Sequence, residues 1–119
     1  MSQPPFTKLM VWKESYRLAL RIYSISKDFP VEEKYCLVSQ IRRAAISVPA
    51  NITEGMGRTG NKEKGRFLFI ARGSAQEMMI HCMFARDLGY ADIKITSDLI
   101  SRYQGLSAGI SRLIGSLKR

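Results

Sequence analysis

The sequence predicts an all-α, up-down antiparallel four-helix bundle, and three observations carry that prediction. Apolar residues recur at spacings of three and four through most of the chain. Proline or glycine interrupts the pattern at Phe29-Pro30, at Gly55-Gly57-Gly60 and at Gly89. No run of strictly alternating apolar and polar residues competes as a strand. With 119 residues, 45% hydrophobic and 24% charged, the chain has the size and composition of one globular domain spanning 1–119.

The first helix is expected over about 9–26, where Leu9, Trp12, Tyr16, Ala19, Ile22 and Tyr23 share one face. Phe29-Pro30 stops it, because proline disfavours the helical region for the residue before it. Pro30 followed by Glu32 and Glu33 suits the opening turn of a second helix, over about 32–54. Its stripe is Val38, Ile41, Ala45, Val48 and Ile52. Pro49 lies inside that helix and is expected to kink rather than break it, since the apolar register continues on both sides.

Asn61 is the expected N-cap of a third helix over about 62–88, with Phe67, Ala71, Ser74, Met78, His81, Ala85 and Leu88 as its heptad seam. Gly89 supplies a left-handed cap. Thr96 or Ser97 is expected to cap the fourth helix, over about 97–117, whose stripe is Leu99, Tyr103, Leu106, Ile110, Leu113 and Leu117. Short connections favour antiparallel neighbours.

Two helices carry more face than one bundle uses. Phe69, Met79 and Met83 lie opposite the third helix's seam, and the back of the second helix holds Cys36, Ser47 and Ala50 among mostly small residues. These six residues form the expected interface of a homo-oligomer.

The charge balance speaks to partners. Nineteen Lys and Arg oppose ten Asp and Glu, a net charge of +9, and eleven of the cations are Arg, whose planar fork matches phosphate oxygens. A polyanion partner is favoured. The N-terminus lacks a basic region followed by an apolar one, and no apolar run approaches a membrane span, so a cytoplasmic protein without membrane partners is expected. Cys36 and Cys82 are expected to be reduced, partly buried thiols.

Gly55-Met56-Gly57-Arg58-Thr59-Gly60 spells the letters of a dinucleotide-binding fingerprint, yet a helix rather than a strand precedes it. A Walker loop fails too, since Asn61 separates Gly60 from Lys62. What survives is a loop with Arg58, Lys62, Lys64 and Arg66 at a helix start, suited to phosphates. His81 falls on the helix-three seam and reads as a core residue. His81-Cys82 alone cannot make a zinc site, and no nucleophile with an orienting partner is evident. Neither a metal, a cofactor nor catalysis is expected.

These residues resemble a known family, the four-helix-bundle proteins encoded in intervening sequences of bacterial 23S rRNA genes. The resemblance runs from about Phe6 to Tyr90. It rests on Leu9-x-x-Trp12, Phe29-Pro30-x-x-Glu33-x-Tyr35-x-Leu37, Gln40-Ile41-Arg42-Arg43-Ala44-Ala45, Asn51-Ile52-x-Glu54-Gly55, Gly57-Arg58 and Ala71-x-Gly73-Ser74-x-x-Glu77. It implies an antiparallel bundle and a ring-like homopentamer. The chain is also similar in shape to the accessory protein of diversity-generating retroelements, a basic bundle that binds nucleic acid and partners a reverse transcriptase. The polar members Arg43, Asn51, Glu54, Ser74 and Glu77 are assigned to a structural network, with Glu77 expected to complete a buried pair with Arg43 or Asn51.

The function expected from the sequence is a non-catalytic homo-oligomer that binds nucleic acid, structured RNA or a DNA backbone, through Arg17, Arg21, Arg42, Arg58, Lys62, Lys64 and Arg66. No aromatic stacking platform is visible, so little sequence discrimination is expected. The alternative is a scaffold that docks an acidic partner protein without touching nucleic acid.

Overall fold

The computed structural model describes residues 5–117, and among them there are four α-helices and no strand. They are α1 (Met10–Ser26), α2 (Leu37–Met56), α3 (Asn61–Asp87) and α4 (Ile93–Ser116). Hydrogen bonds between helices give the topology. Trp12 Nε1 donates to Thr53 Oγ1 at 3.0 Å near one end of α1, and Arg42 Nε donates to Ser26 Oγ at 2.8 Å near the other, so α1 and α2 are antiparallel. The Ser47 and Ser74 hydroxyls meet at 2.8 Å between α2 and α3, and Arg72 Nη1 donates to Ser111 Oγ at 3.1 Å between α3 and α4. Arg21–Asp98 at 2.6 Å and Arg102–Glu14 at 3.7 Å close α4 onto α1, completing an up-down bundle.

The sequence explains most boundaries and the structure corrects several. α1 ends at Ser26, and Phe29 folds back into the core ahead of Pro30. Pro30 and the two glutamates open a short 3-10 turn, Val31–Glu33, instead of α2 itself. Cys36 then leaves helical geometry at φ −119° and ψ −102°, so α2 starts five residues later than expected, with Glu33 Oε1 accepting from the Leu37 N–H at 3.2 Å. α2 runs continuously through Pro49, which is buried.

Gly60 takes the position before α3 with φ +81°, a conformation that favours glycine. Asn61 is therefore the first helical residue and not the cap. Its side-chain amide donates to the Leu117 carbonyl at 2.8 Å, tying the start of α3 to the end of α4. At the far end of α3, Gly89 has φ +77°, the left-handed cap the sequence anticipates, with Gly89 N–H donating to Arg86 O and Tyr90 N–H to Ala85 O in a Schellman arrangement. α4 begins earlier than expected because Asp92, not Thr96 or Ser97, caps it: its carboxylate accepts from Lys94 N–H at 2.8 Å. Thr96 is buried one turn inside, with its hydroxyl bonded back to the Asp92 carbonyl.

The face that α3 turns inward differs from the expected seam. Ala71, Met78 and Ala85 are buried as expected, joined by Leu68, Ala75 and Cys82 in place of Phe67, Ser74, His81 and Leu88. The burial axis is thus rotated, leaving Phe67, Ser74 and His81 half-buried on one flank and Leu88 exposed. The two thiols divide likewise: Cys36 is exposed and Cys82 is buried, whereas the sequence predicts both partly buried.

Close packing makes this phase specific. A Cβ on Gly55 would lie 3.1 Å from both the Lys64 carbonyl oxygen and the Phe67 Cβ, so α2 and the start of α3 approach closely there. One on Gly109 would lie 3.0 Å from Val11 Cγ1, where α4 meets α1.

Leu68→Ala should cost about 2–5 kcal/mol by opening a cavity, while Leu88→Ala should stay within about 0.5 kcal/mol. Denaturant melts of both variants check this, and the reverse order would restore the seam read from the sequence.

Candidate nucleic-acid interface

Charge is distributed unevenly along the bundle axis because the topology collects particular helix ends. The start of α1, the end of α2, the start of α3 and the end of α4 lie together. That end carries Lys8, Lys13, Arg58, Lys62, Lys64, Arg66 and Arg112 against Glu14, Glu54 and Glu63. At the opposite end, Lys27, Lys34, Arg86 and Lys94 face Asp28, Glu32, Glu33, Asp87 and Asp92. The first end is strongly cationic and the second close to balanced.

The structure separates the seven cations expected to contact phosphates. Arg58, Lys62, Lys64 and Arg66 cluster around the α2–α3 turn. Arg58 and Arg66 lie over the Phe67 ring at 4.9 and 4.5 Å, and each also pairs with a nearby carboxylate, Glu54 and Glu63 respectively. Arg17 is exposed on α1, away from that turn. Arg21 and Arg42 serve the fold instead. Arg21 is held by Asp98, whose carboxyl is kept below its ordinary range by hydrogen bonds from Arg21 and Arg102. Arg42 donates to Ser26 and lies 4.7 Å over the Tyr23 ring.

The fold also builds an aromatic surface that sequence reasoning missed. Phe6, in the turn before α1, meets Trp12 edge-on with ring centroids 5.3 Å apart, and Trp12 stacks on Tyr16 at 5.1 Å and 9°. These rings border an apolar groove of about 590 Å³ between α1 and α2, with Ala19, Pro49 and Ala50 among its walls and Tyr23 farther along. Next to it, Lys8, Lys13 and Arg17 line a hollow together with Phe6, Trp12 and Tyr16. The signal was present in the sequence as Trp12-Lys13, Tyr16-Arg17 and Leu20-Arg21, an apolar or aromatic residue followed by a cation at each helical turn.

The polar residues of the resemblance form two groups. Asn51 Nδ2 donates to the Ser47 carbonyl at 2.8 Å, and Ser47 meets Ser74, a chain bridging α2 and α3. Ser47 thus turns toward α3, while Ala50 on α2 and Cys36 just before it are exposed. On α3, Phe69 and Met83 are exposed and Met79 is half-buried against the core. Arg43 lies 3.6 Å from Glu77, the partner anticipated for it, but both side chains are largely open to solvent. The pair is a surface pair and not a buried one, so it contributes at most about 1 kcal/mol. Glu54 pairs with Arg58 one turn along, also at the surface.

His81 Nε2 is 3.6 Å from the same Glu77 carboxylate and has no hydrogen-bond partner among the described residues. Burial pushes its imidazole below the ordinary 6.5, Glu77 opposes that shift, and Arg43 adds to it. The neighbouring Cys82 turns into the core, where burial raises its thiol to about 12, opposite to what a nucleophile needs.

The family described as 23S rRNA-intervening sequence protein matches residues 7–112. The chain belongs to this family. A crystal structure of a protein of unknown function from the S23 ribosomal protein family of Bacteroides thetaiotaomicron VPI-5482 has the same fold, with TM-score 0.80 at 22% identity, over 88% of this chain and 95% of that one. Among curated proteins there is no match. Several residues on which the resemblance rests make bonds between elements: Trp12 to Thr53, Ser74 to Ser47, and Glu33 as acceptor from the Tyr90 hydroxyl at 2.7 Å.

The depressed His81 value gives a pH dependence with a defined sign. The unfolded chain takes up this proton first, so stability is intact above about 6.5 and declines as pH falls from there toward the folded value. His81→Gln should flatten that decline in thermal melts, and parallel curves for parent and variant would contradict it. Glu77→Ala should cost less than about 1 kcal/mol, measured by denaturant titration.

Proposed function

We propose that the chain is a non-catalytic, cytoplasmic homo-oligomer that binds nucleic acid through the cationic end of its bundle. The observation that supports this most directly is the excess of cations over carboxylates around the α2–α3 turn and the adjoining start of α1. Phosphate neutralisation by such a patch gives affinity that falls steeply with salt. Repetition of the patch around an oligomer multiplies a weak interaction. Lys62 and Lys64 stand at the start of α3, where unpaired amides and the helix dipole add to the attraction for anions.

Self-assembly is supported by the large apolar side chains that one copy leaves uncovered. Phe69, Ile80 and Phe84 lie along the outward face of α3, each about half exposed. An uncovered apolar strip of this kind suits association between copies of the chain. The pentamer implied by the family resemblance is one such assembly.

A second reading, a scaffold that docks an acidic protein such as a reverse transcriptase with an acidic surface, draws on the same cationic end. Pull-down from lysate with and without nuclease separates the two, since partners that survive nuclease favour the scaffold.

Fluorescence anisotropy with mixed-sequence RNA and DNA at low salt should show binding. Arg58→Ala and Lys62→Ala should weaken it, each lowering the salt slope by roughly 0.7–0.9 for every phosphate left without its cation, while Lys94→Ala at the balanced end should not. Absence of binding would refute the reading. Mass photometry should show an oligomer that Met83→Glu dissociates, and a 13.5 kDa monomer at micromolar concentration would contradict self-assembly.

A further inference from the structure

Resting on the nucleic-acid reading, we propose that the α1–α2 groove holds an unpaired base of a single-stranded nucleic acid, stacked on Tyr16 with flanking phosphates on Lys13 and Arg17. Tyr16 is 47% exposed, although its ring is pinned against Trp12 by parallel stacking at 5.1 Å. The indole is itself fixed by its hydrogen bond to Thr53 and by Phe6 edge-on, so the platform is rigid before any ligand arrives. The groove beside it, about 590 Å³, lies within the range of small-molecule sites and has room for a flat heterocycle.

Charge identifies the occupant. Among the residues lining the groove and the adjoining hollow there is no carboxylate, while Lys8, Lys13 and Arg17 stand along the edge. A purely apolar partner would gain nothing from cations spaced one helical turn apart beside the rings, whereas a nucleotide presents a π-face and a phosphate side by side. On α1 the ring-then-cation pairs Trp12-Lys13 and Tyr16-Arg17 repeat after four residues, about 6 Å along the axis. Arg17 is exposed and, among the described residues, pairs with no carboxylate, unlike Arg21 one turn on, which Asp98 holds. Bases inside a duplex are already stacked and paired and cannot enter such a groove, so the site selects single strands, as stacking platforms do.

Trp12 is the only tryptophan in the chain, so its emission reports on this platform directly. The full chain is titrated with a single-stranded oligouridylate and with a fully paired RNA duplex, reading anisotropy and Trp12 fluorescence. The single strand should bind and change the emission, and the duplex should bind through the cationic end without changing it. Tyr16→Ala should weaken single-strand binding about ten-fold and leave duplex binding alone. Tyr16→Phe, which keeps the π-face, should restore it. Equal binding of both probes, unmoved by Tyr16→Ala, overturns the groove site while leaving the cationic end as a nucleic-acid surface. Failure of both probes to bind overturns the broader reading as well. Dissociation of the oligomer by Tyr16→Ala, with Tyr16→Phe intact and no emission change on adding RNA, assigns the groove to a second protein copy and also overturns the proposal.

Discussion

The close approach of α2 to α3 is the constraint to which the rest of the bundle answers. A Cβ on Gly55 would crowd Lys64 and Phe67, and Ala44, Ala45, Ala71 and Ala75 are all fully buried. Small side chains let the two helices pack tightly, and the hydrogen bond between the Ser47 and Ser74 hydroxyls satisfies polar atoms that this proximity places together. The bulk of the interior comes from Ile22, Ile41, Ile52, Met78, Leu99, Tyr103 and Ile110. α1 and α4 then close through their own apolar stripes and the Arg21–Asp98–Arg102 cluster at the surface.

A consequence is that large apolar and aromatic residues are left outside. Phe69, Ile80 and Phe84 on α3 and Tyr16 and Leu20 on α1 are at the surface, while alanine occupies much of the interior. The cations follow the same division. Arg42 and Arg21 are drawn into the fold by Ser26, Tyr23 and Asp98, whereas the cations around the α2–α3 turn stand at the bundle end with few carboxylates to offset them. The proposed function draws on what the fold does not consume.

How much of this was legible in the sequence varied with the strength of the local signal. α1, α2 and α4 each carry one clear apolar stripe, and their existence, order and antiparallel arrangement follow from it. α3 is apolar nearly all round, so two heptads compete: one through Phe67, Ser74 and His81, the other through Leu68, Ala75 and Cys82. Packing against both α2 and α4 selects the second. Caps were misjudged where a residue's neighbours decide its role, as when Asn61 reaches Leu117 and Asp92 takes the position assigned to Thr96 or Ser97. The cationic turn was readable because its members are close in sequence. The aromatic groove was not, since Phe6, Trp12 and Tyr16 face Pro49 and Ala50 only once α1 lies against α2.

The central claim is that the surface charge of this bundle serves polyanion binding and not solubility alone. It is tested most directly by the affinity of the full chain for one RNA across a salt series. The expected result is a straight line of log affinity against log salt concentration, with a slope corresponding to several neutralised phosphates, at roughly 0.7–0.9 for each. Affinity that is absent at low salt, or that stays level as salt rises, would contradict it.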